Sequence, residues 1–221
     1  MVDLAVLEEA DRILSVLKDT IPRDTWHGEK CVTEMRQAGY PHWAQEEWPG
    51  WYFEYLAVPR LVEALDGQPL RLLNTTFDYS KRFIWDLKVH SSRDNTVILN
   101  SVDSTREALD LGGFGFIVLS ADATYDDDGS FKDWHREQRI SAGKKSKPRT
   151  LERKYIRRSK SIVIPKRIDI FFAPDAASMS TMPFGIMNQG RHRTGAPRGP
   201  KYKVNINTAK QTGTHLLGLD L

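Results

Sequence analysis

The chain has 221 residues, of which 40% are hydrophobic and 28% are charged, and its net charge at pH 7 is +3. This length and composition fit one folded domain and exclude a disordered protein. The single cysteine, Cys31, excludes an internal disulfide, and the six scattered histidines offer no zinc-ligand spacing. Because no apolar run is long enough to span a bilayer and the N-terminus is unlike a signal peptide, we expect a cytoplasmic protein without membrane contact.

Three helices are predicted in the first 65 residues. Apolar residues at helical spacing indicate a helix over residues 3–19. Asp24 is the expected N-cap of a second helix that continues to Gln37. Pro49 suits the first turn of a third helix, which continues to about Leu65.

Strands dominate the pattern from there to residue 172. Three of them are predicted at 70–78, 83–90 and 96–99. A short helix is predicted at 104–113 and a buried strand at 114–120. A turn leads into a helix at 126–139, and one or two strands follow at 161–172. The tail from residue 174 is rich in Gly, Pro and Asn, and we expect it to be mostly loop. This order predicts an α/β fold with a mixed β-sheet flanked by helices and a helical N-terminal part.

Charge is strongly segregated along the chain. Residues 132–167 contain 14 Lys/Arg and 3 Asp/Glu, and residues 188–203 contain 5 Lys/Arg and no acid, which leaves −13 for the remainder. A basic region on an otherwise acidic protein favours a polyanionic partner. For the lysine-rich run at 141–161, a solvated loop is the alternative.

An acid and a base lie two residues apart in the strand predicted at 83–90. A strand directs Asp86 and Lys88 to the same side. A hairpin loop at residues 80–82 would pair Asp78 with Ile84 on that side, which places Asp86 on the diagonal at roughly 7–8 Å from Asp78 along the backbone. Two carboxylates are what Mg²⁺ typically takes from a protein, and a nearby lysine can orient water and offset transition-state charge. The pattern predicts metal-assisted hydrolysis of a phosphodiester, and a plain salt pair on an edge strand is the alternative.

Glu54 lies among aromatic residues in the segment WPGWYFEYL, so part of its side chain should be shielded from water. A shielded carboxylate needs a partner or a metal. It is therefore a candidate acid of the same site, with an ion pair to Arg60 or a neighbouring Arg as the structural alternative. Glu47 and Glu63 are further acids of this segment.

Together these motifs resemble a known family. The helix with WPGWYFE, the pair Phe77-Asp78, the strand IWDLK and the later GFGFIVLSADATYDDDGSFKDWH are similar to a type II restriction endonuclease of the PD-(D/E)xK nuclease superfamily. The resemblance covers about residues 45–138, with Phe-Asp in place of the superfamily's Pro-Asp. It implies a restriction-endonuclease-like core and Mg²⁺-dependent cleavage of double-stranded DNA. It also implies Asp78 and Asp86 as metal ligands, Lys88 as the catalytic lysine and Glu54 as the helix acid.

The organisation expected from these features is a single endonuclease domain over 1–221, with a helical part, a catalytic core and a basic DNA-binding and recognition part at 1–66, 67–140 and 141–221. A homodimer of such a restriction-modification enzyme would match a palindromic site. A repair or junction nuclease with the same core, and a nucleic-acid-binding protein without catalysis, are the alternatives.

Candidate DNA contacts come from the two basic segments. Phosphate contacts are expected from the basic side chains of the first segment, which are Lys144, Lys145, Lys147, Arg149, Arg153, Arg157 and Arg158. The region 184–203 concentrates side chains that can form paired hydrogen bonds with base edges, and the expected readers are Asn188, Gln189, Arg191 and Arg193. A disordered tail that is merely basic is the alternative for this region.

Overall fold

The structure, a computed structural model, describes residues 3–91, 95–144, 158–190, 195 and 197–221. These residues form a mixed α/β architecture. The helices are α1 (Leu4–Thr20), α2 (Gly28–Gln37), α3 (Trp48–Leu65), α4 (Val102–Asp110), α5 (Ser130–Ser141) and α6 (Ile206–Gln211). The strands are β1 (Trp26–His27), β2 (Gln68–Leu72), β3 (Thr75–Ser80), β4 (Ile84–Ser91), β5 (Thr96–Ser101), β6 (Phe114–Tyr125), β7 (Lys160–Ala173), β8 (Phe184–Met187), β9 (Lys201–Asn205) and β10 (His215–Asp220).

A seven-stranded sheet organises the chain. Six of its strands follow the order β1-β7-β6-β4-β3-β2, and the seventh, β10, pairs with β7. Strands β4 and β6 are parallel, whereas the other pairs are antiparallel, so the sheet is mixed. The short β1 and the longer β10 both pair with β7, at different parts of its length. A second, three-stranded sheet has the order β5-β9-β8. The predicted mixed sheet flanked by helices is therefore confirmed.

Two hydrophobic cores lie on the two faces of the large sheet. The first contains the buried faces of α1, α2 and α3 together with alternate residues of the central strands, such as Trp85 and Ile117. The second contains residues of α4, α6 and the three-stranded sheet, packed against Phe116 and Val118. Because both faces are covered, the central strands β4 and β6 are buried on both sides, as expected for strands inside an α/β fold.

Local sequence explains the two helices of the first core. Asp3 caps α1 by accepting a hydrogen bond from the Ala5 amide at 3.0 Å, and Ile13 and Leu17 follow on the buried face. Pro49 lies in the first turn of α3, where a missing amide proton costs nothing. The helices predicted at 3–19 and from Pro49 are confirmed.

Two predictions in the N-terminal half were wrong. Asp24 does not cap α2, because Trp26 and His27 pair with β7 and the helix starts only at Gly28. The segment 70–78 is not one strand, because the chain turns at Leu73, whose φ is 51°, and returns as β3.

The tail from residue 174 is also more ordered than expected. Three strands and a helix form there, namely β8, β9, β10 and α6. Their residues close the second core and cover the edge of β7 through the pair Gly218–Asp169. Within the part of the chain that the structure describes, no helix is long and apolar enough to cross a membrane.

Candidate active site

Strand β4 holds the acid–base pair in the interior of the large sheet. It lies between β3 and β6, with Asp86 beside Phe116 and Lys88 beside Val118. Both of these β6 residues belong to the second core, so alternation places Asp86 and Lys88 on that face. Asp86 is only 2% exposed. Strand β4 is therefore not an edge strand, whereas the salt-pair alternative placed Asp86 and Lys88 on one.

The aromatic ring of Trp85 anchors the same strand on its opposite face. Trp85 is fully buried, and its Nε1 donates a hydrogen bond to Glu9 of α1 at 2.8 Å. Gly115, its neighbour across β6, leaves room for the indole, since a Cβ there would lie 2.1 Å from the ring. Glu9 also accepts from the amides of Arg82 and Phe83, so one carboxylate fixes the β3–β4 hairpin to α1.

The hairpin register differs from the expected one by two residues. Ser80 pairs with Ile84 and Tyr79 with Trp85, so the loop comprises residues 81–83 instead of 80–82. A shift of two residues preserves the face of every side chain. Since Tyr79 and Trp85 face the first core, Asp78 and Asp86, each one residue away, lie on the opposite face.

An extra residue in β3 brings Asp78 close to β4. Between the pairs Gln68–Ser80 and Leu70–Phe77, β3 advances three residues and β2 only two, which is a β-bulge. Phe77 consequently packs in the second core and Tyr79 in the first, although they are two residues apart. The Asp78 carboxylate accepts a hydrogen bond from the Leu87 amide at 2.6 Å, beyond the point where the β3–β4 pairing ends.

Four titratable groups interact across this site. Lys88 forms an ion pair with Asp86. Burial raises the pKa of Asp78 well above its usual range, and the charges of Asp86 and Glu54 add to this effect. Burial alone would lower the pKa of Lys88, but the carboxylates of Asp86 and Asp78 raise it overall. Lys88 therefore stays protonated and offsets part of the negative charge.

Glu54 lies in the middle of α3, which packs in the first core, and it interacts electrostatically with Lys88 and Asp86. Its Oε2 accepts a hydrogen bond from the Tyr40 hydroxyl at 3.5 Å. Burial raises its pKa to about 7, with Lys88 opposing this shift and Asp86 adding to it. Arg60, the alternative partner named for Glu54, pairs with Glu63 at 2.9 Å on the exposed side of the helix.

A fifth charged residue, which sequence reasoning missed, comes from the second sheet. Lys201 begins β9, opposite Met187 of β8 and Ser101 of β5. Burial lowers its pKa, and the positive charge of Lys88 lowers it further, while Asp86 acts in the opposite sense. The only signal in the sequence was the position of this lysine at the start of an alternating KYKVN segment, 113 residues after Lys88.

The site offers the hard oxygen donors that Mg²⁺ prefers. Asp86 Oδ2 is buried, and its contact is the ion pair with the Lys88 ammonium. Asp78, Asp86 and Glu54 bring three carboxyl groups together with Lys88 and Lys201, and a cation would favour the ionised forms of Asp78 and Glu54. Among the described residues, no three His, Cys, Asp or Glu side chains converge in a metal-holding arrangement. The donor chemistry thus fits a divalent cation, which Asp78 and Asp86 would hold.

The expected phosphate contacts lie mostly outside the described residues. Of the seven, Lys144 and Arg158 are described. Lys144 Nζ lies 5.5 Å from the centre of the Trp43 ring, and Arg158 pairs with Asp127 at 2.9 Å. The other five, Lys145, Lys147, Arg149, Arg153 and Arg157, fall outside the described residues.

The expected base readers begin beside the site. Asn188 is exposed and Gln189 half-buried, and both directly follow β8, whose last residue pairs with Lys201. Arg191 and Arg193 lie outside the described residues. The segment that joins β8 to β9 therefore begins and ends next to Lys201.

Compared with protein families, with curated proteins and with solved structures, the chain matches none of them.

Proposed function

We propose that this protein is a Mg²⁺-dependent endonuclease of restriction type that hydrolyses phosphodiester bonds of double-stranded DNA. The observation that carries the proposal is the mutual electrostatic interaction of Glu54, Asp78, Asp86 and Lys88, which come from α3, β3 and β4. A structural ion pair does not need two further carboxyl groups beside it whose pKa values are raised, as those of Glu54 and Asp78 are, whereas functional sites commonly contain such groups. The proposal includes a restriction-endonuclease-like core in which β3, β4 and α3 present these groups.

Asp78 and Asp86 would hold the metal ion. When bound, Mg²⁺ supplies Lewis-acid polarisation of a phosphoryl oxygen. The Lys88 ammonium would contact the reacting phosphate and offset the charge that develops on it.

Glu54 is suited to move a proton. In hydrolysis, the oxygen of water attacks phosphorus, one P–O ester bond breaks, and the water loses a proton while the leaving oxygen gains one. A carboxylate whose pKa is about 7 can accept that proton at neutral pH. Its hydrogen bond from the Tyr40 hydroxyl holds the carboxylate in position.

The surrounding charge fits a DNA backbone. Lys201 adds a half-buried ammonium beside Lys88 and Asp86, and the segment after β8 extends from the same point. A homodimer would present Asn188 and Gln189 twice, once for each half of a palindromic site.

Incubating the protein with plasmid DNA and Mg²⁺ tests the proposal. We expect discrete fragments, and Asp86→Asn and Lys88→Ala should each reduce the cleavage rate by at least about 100-fold while binding to DNA is kept. The matched control is Asp122→Asn, which removes an exposed Asp–Lys pair with Lys166 on the neighbouring strand and should leave the rate unchanged. Fragments without defined ends would favour a repair or junction nuclease. Intact DNA, or normal cleavage by either site variant, would refute the proposed function.

A further inference from the structure

Four aromatic rings form a continuous surface next to Glu54. Tyr40 lies 5.5 Å from Tyr55 and 5.7 Å from His42, and His42 stacks on Trp51 at 4.1 Å, all between ring centres. We call these four residues the aromatic platform. His42 is exposed and the other three are half-buried. Trp48 and Phe53 of α3, the helix that carries Trp51 and Tyr55, are fully buried by contrast. The platform rests on the first core and leaves ring surface open to solvent.

Tyr40 joins the platform to the candidate active site. Its hydroxyl donates to Glu54, and the charges of Glu54 and Asp78, after burial, raise its pKa. The ring surface therefore begins one hydrogen bond away from Glu54. A nucleobase stacked on these rings would therefore belong to a nucleotide next to a phosphate bound at Asp86 and Lys88.

Cations accompany the rings. Arg36 and Lys144 lie over the neighbouring Trp43 ring, at 5.2 and 5.5 Å from its centre. After burial, the charge of Lys144 also lowers the pKa of His42, so this lysine lies near the platform as well. Aromatic rings interleaved with Lys and Arg are the usual surface for single-stranded nucleic acid, because the cations attract phosphates and the rings stack on bases.

We propose that the aromatic platform binds an unpaired nucleobase of the substrate, next to the phosphate that is cleaved. The inference rests on the proposed function for its phosphate but not for its base. Stacking on Tyr40, Trp51 or His42 needs the open face of a base, which neighbouring bases cover in an intact duplex. The bound strand must therefore be unstacked at this point, either by the protein or because the substrate already contains a gap or an end.

A structural role is the competing interpretation, since the same rings hold residues 40–43 against α3. The two roles differ in what a change of ring chemistry affects. Trp51→Leu keeps an apolar side chain of moderate size but removes the stacking surface. Trp134→Leu is the matched control, because Trp134 is also half-buried and stacked, on Phe131 in α5.

The test uses a short single-stranded DNA with one 2-aminopurine, whose fluorescence falls on stacking, and the same strand with an abasic site at that position. Titrations are made without Mg²⁺, so that no strand is cleaved. We expect the wild-type protein to quench 2-aminopurine and to bind the base-containing strand about tenfold more tightly than the abasic one. Trp51→Leu should lose both effects, and Trp134→Leu should keep them.

The outcomes separate this inference from the proposed function. Equal binding of the two strands by the wild-type protein, or an unchanged preference in Trp51→Leu, would overturn the platform even if plasmid DNA is cleaved with Mg²⁺. Quenching that depends on Trp51 in a protein that never cleaves DNA would support the platform and refute the nuclease. Melting curves of both variants establish that they are folded.

Discussion

The pKa of Glu54 leads to a stability prediction that is independent of catalysis. A carboxyl group with a raised pKa binds more protons in the folded than in the unfolded protein, here between pH 4.5 and about 7. The free energy of unfolding must then fall as the pH rises through this window. Glu54→Gln removes the titration and keeps an oxygen that can accept the hydrogen bond from Tyr40.

The magnitude follows from the difference between the two pKa values. A shift of the Glu54 pKa from 4.5 to about 7 lowers the free energy of unfolding by on the order of 3 kcal/mol at pH 8, and by less than about 1 kcal/mol at pH 5. We therefore expect Glu54→Gln to be more stable than wild type by about 2–3 kcal/mol at pH 8 and nearly equal to it at pH 5. Loss of the Glu54 charge also favours ionisation of Asp78, which acts in the same direction.

Urea unfolding at the two pH values, with metal removed by chelation, measures this difference. The matched control is Glu63→Gln on the same helix, because Glu63 is exposed and paired with Arg60, and its change should stay within about 0.5 kcal/mol at either pH. If Glu54→Gln is no more stable than wild type at pH 8, the carboxylate is already compensated and the reasoning from burial is wrong. Added Mg²⁺ should raise the stability of wild type more than that of the variant at pH 8.

Two further predictions concern the positive charges around the site. Lys201→Met should weaken DNA binding and lower its salt dependence by about one unit of slope. Lys203 is the exposed lysine two residues along β9, and Lys203→Met should change DNA binding much less. Equal effects of the two variants on DNA binding would remove Lys201 from the site. Lys144→Ala should likewise flatten a plot of log affinity against log salt by about 0.9, and Arg158→Ala by less, because Asp127 already pairs with Arg158. An unchanged slope in the Lys144 variant would identify this part of the basic run as a solvated loop.

Periodicity predicted the elements that face a core on one side. Helix α1 has its apolar residues on one stripe, and α3 has a proline in its first turn, so their positions could be derived. The grouping of Asp78, Asp86 and Lys88 on one face also survived a wrong hairpin register, since the error was two residues and side chains alternate with a period of two.

Features that depend on distant partners could not be derived. The chain around Asp24 has a capping residue, but pairing of Trp26 with β7 delays the helix. The tail looked like a loop because strands β8 and β9 are short and separated by a polar segment. Lys201 is an ordinary lysine in sequence, and only the packing of the second sheet onto the first brings it to Lys88.

The bulge in β3 makes the site sensitive to chain length more than to residue type. With its extra residue, β3 turns Phe77 to the second core and Tyr79 to the first, and still leaves the Asp78 carboxylate at the Leu87 amide. Deleting a single residue there would restore strict alternation, and either a large aromatic ring or the carboxylate would then emerge on the wrong side. Deleting one residue from β3 should therefore remove Asp78 from the site even when every other residue of the strand is kept.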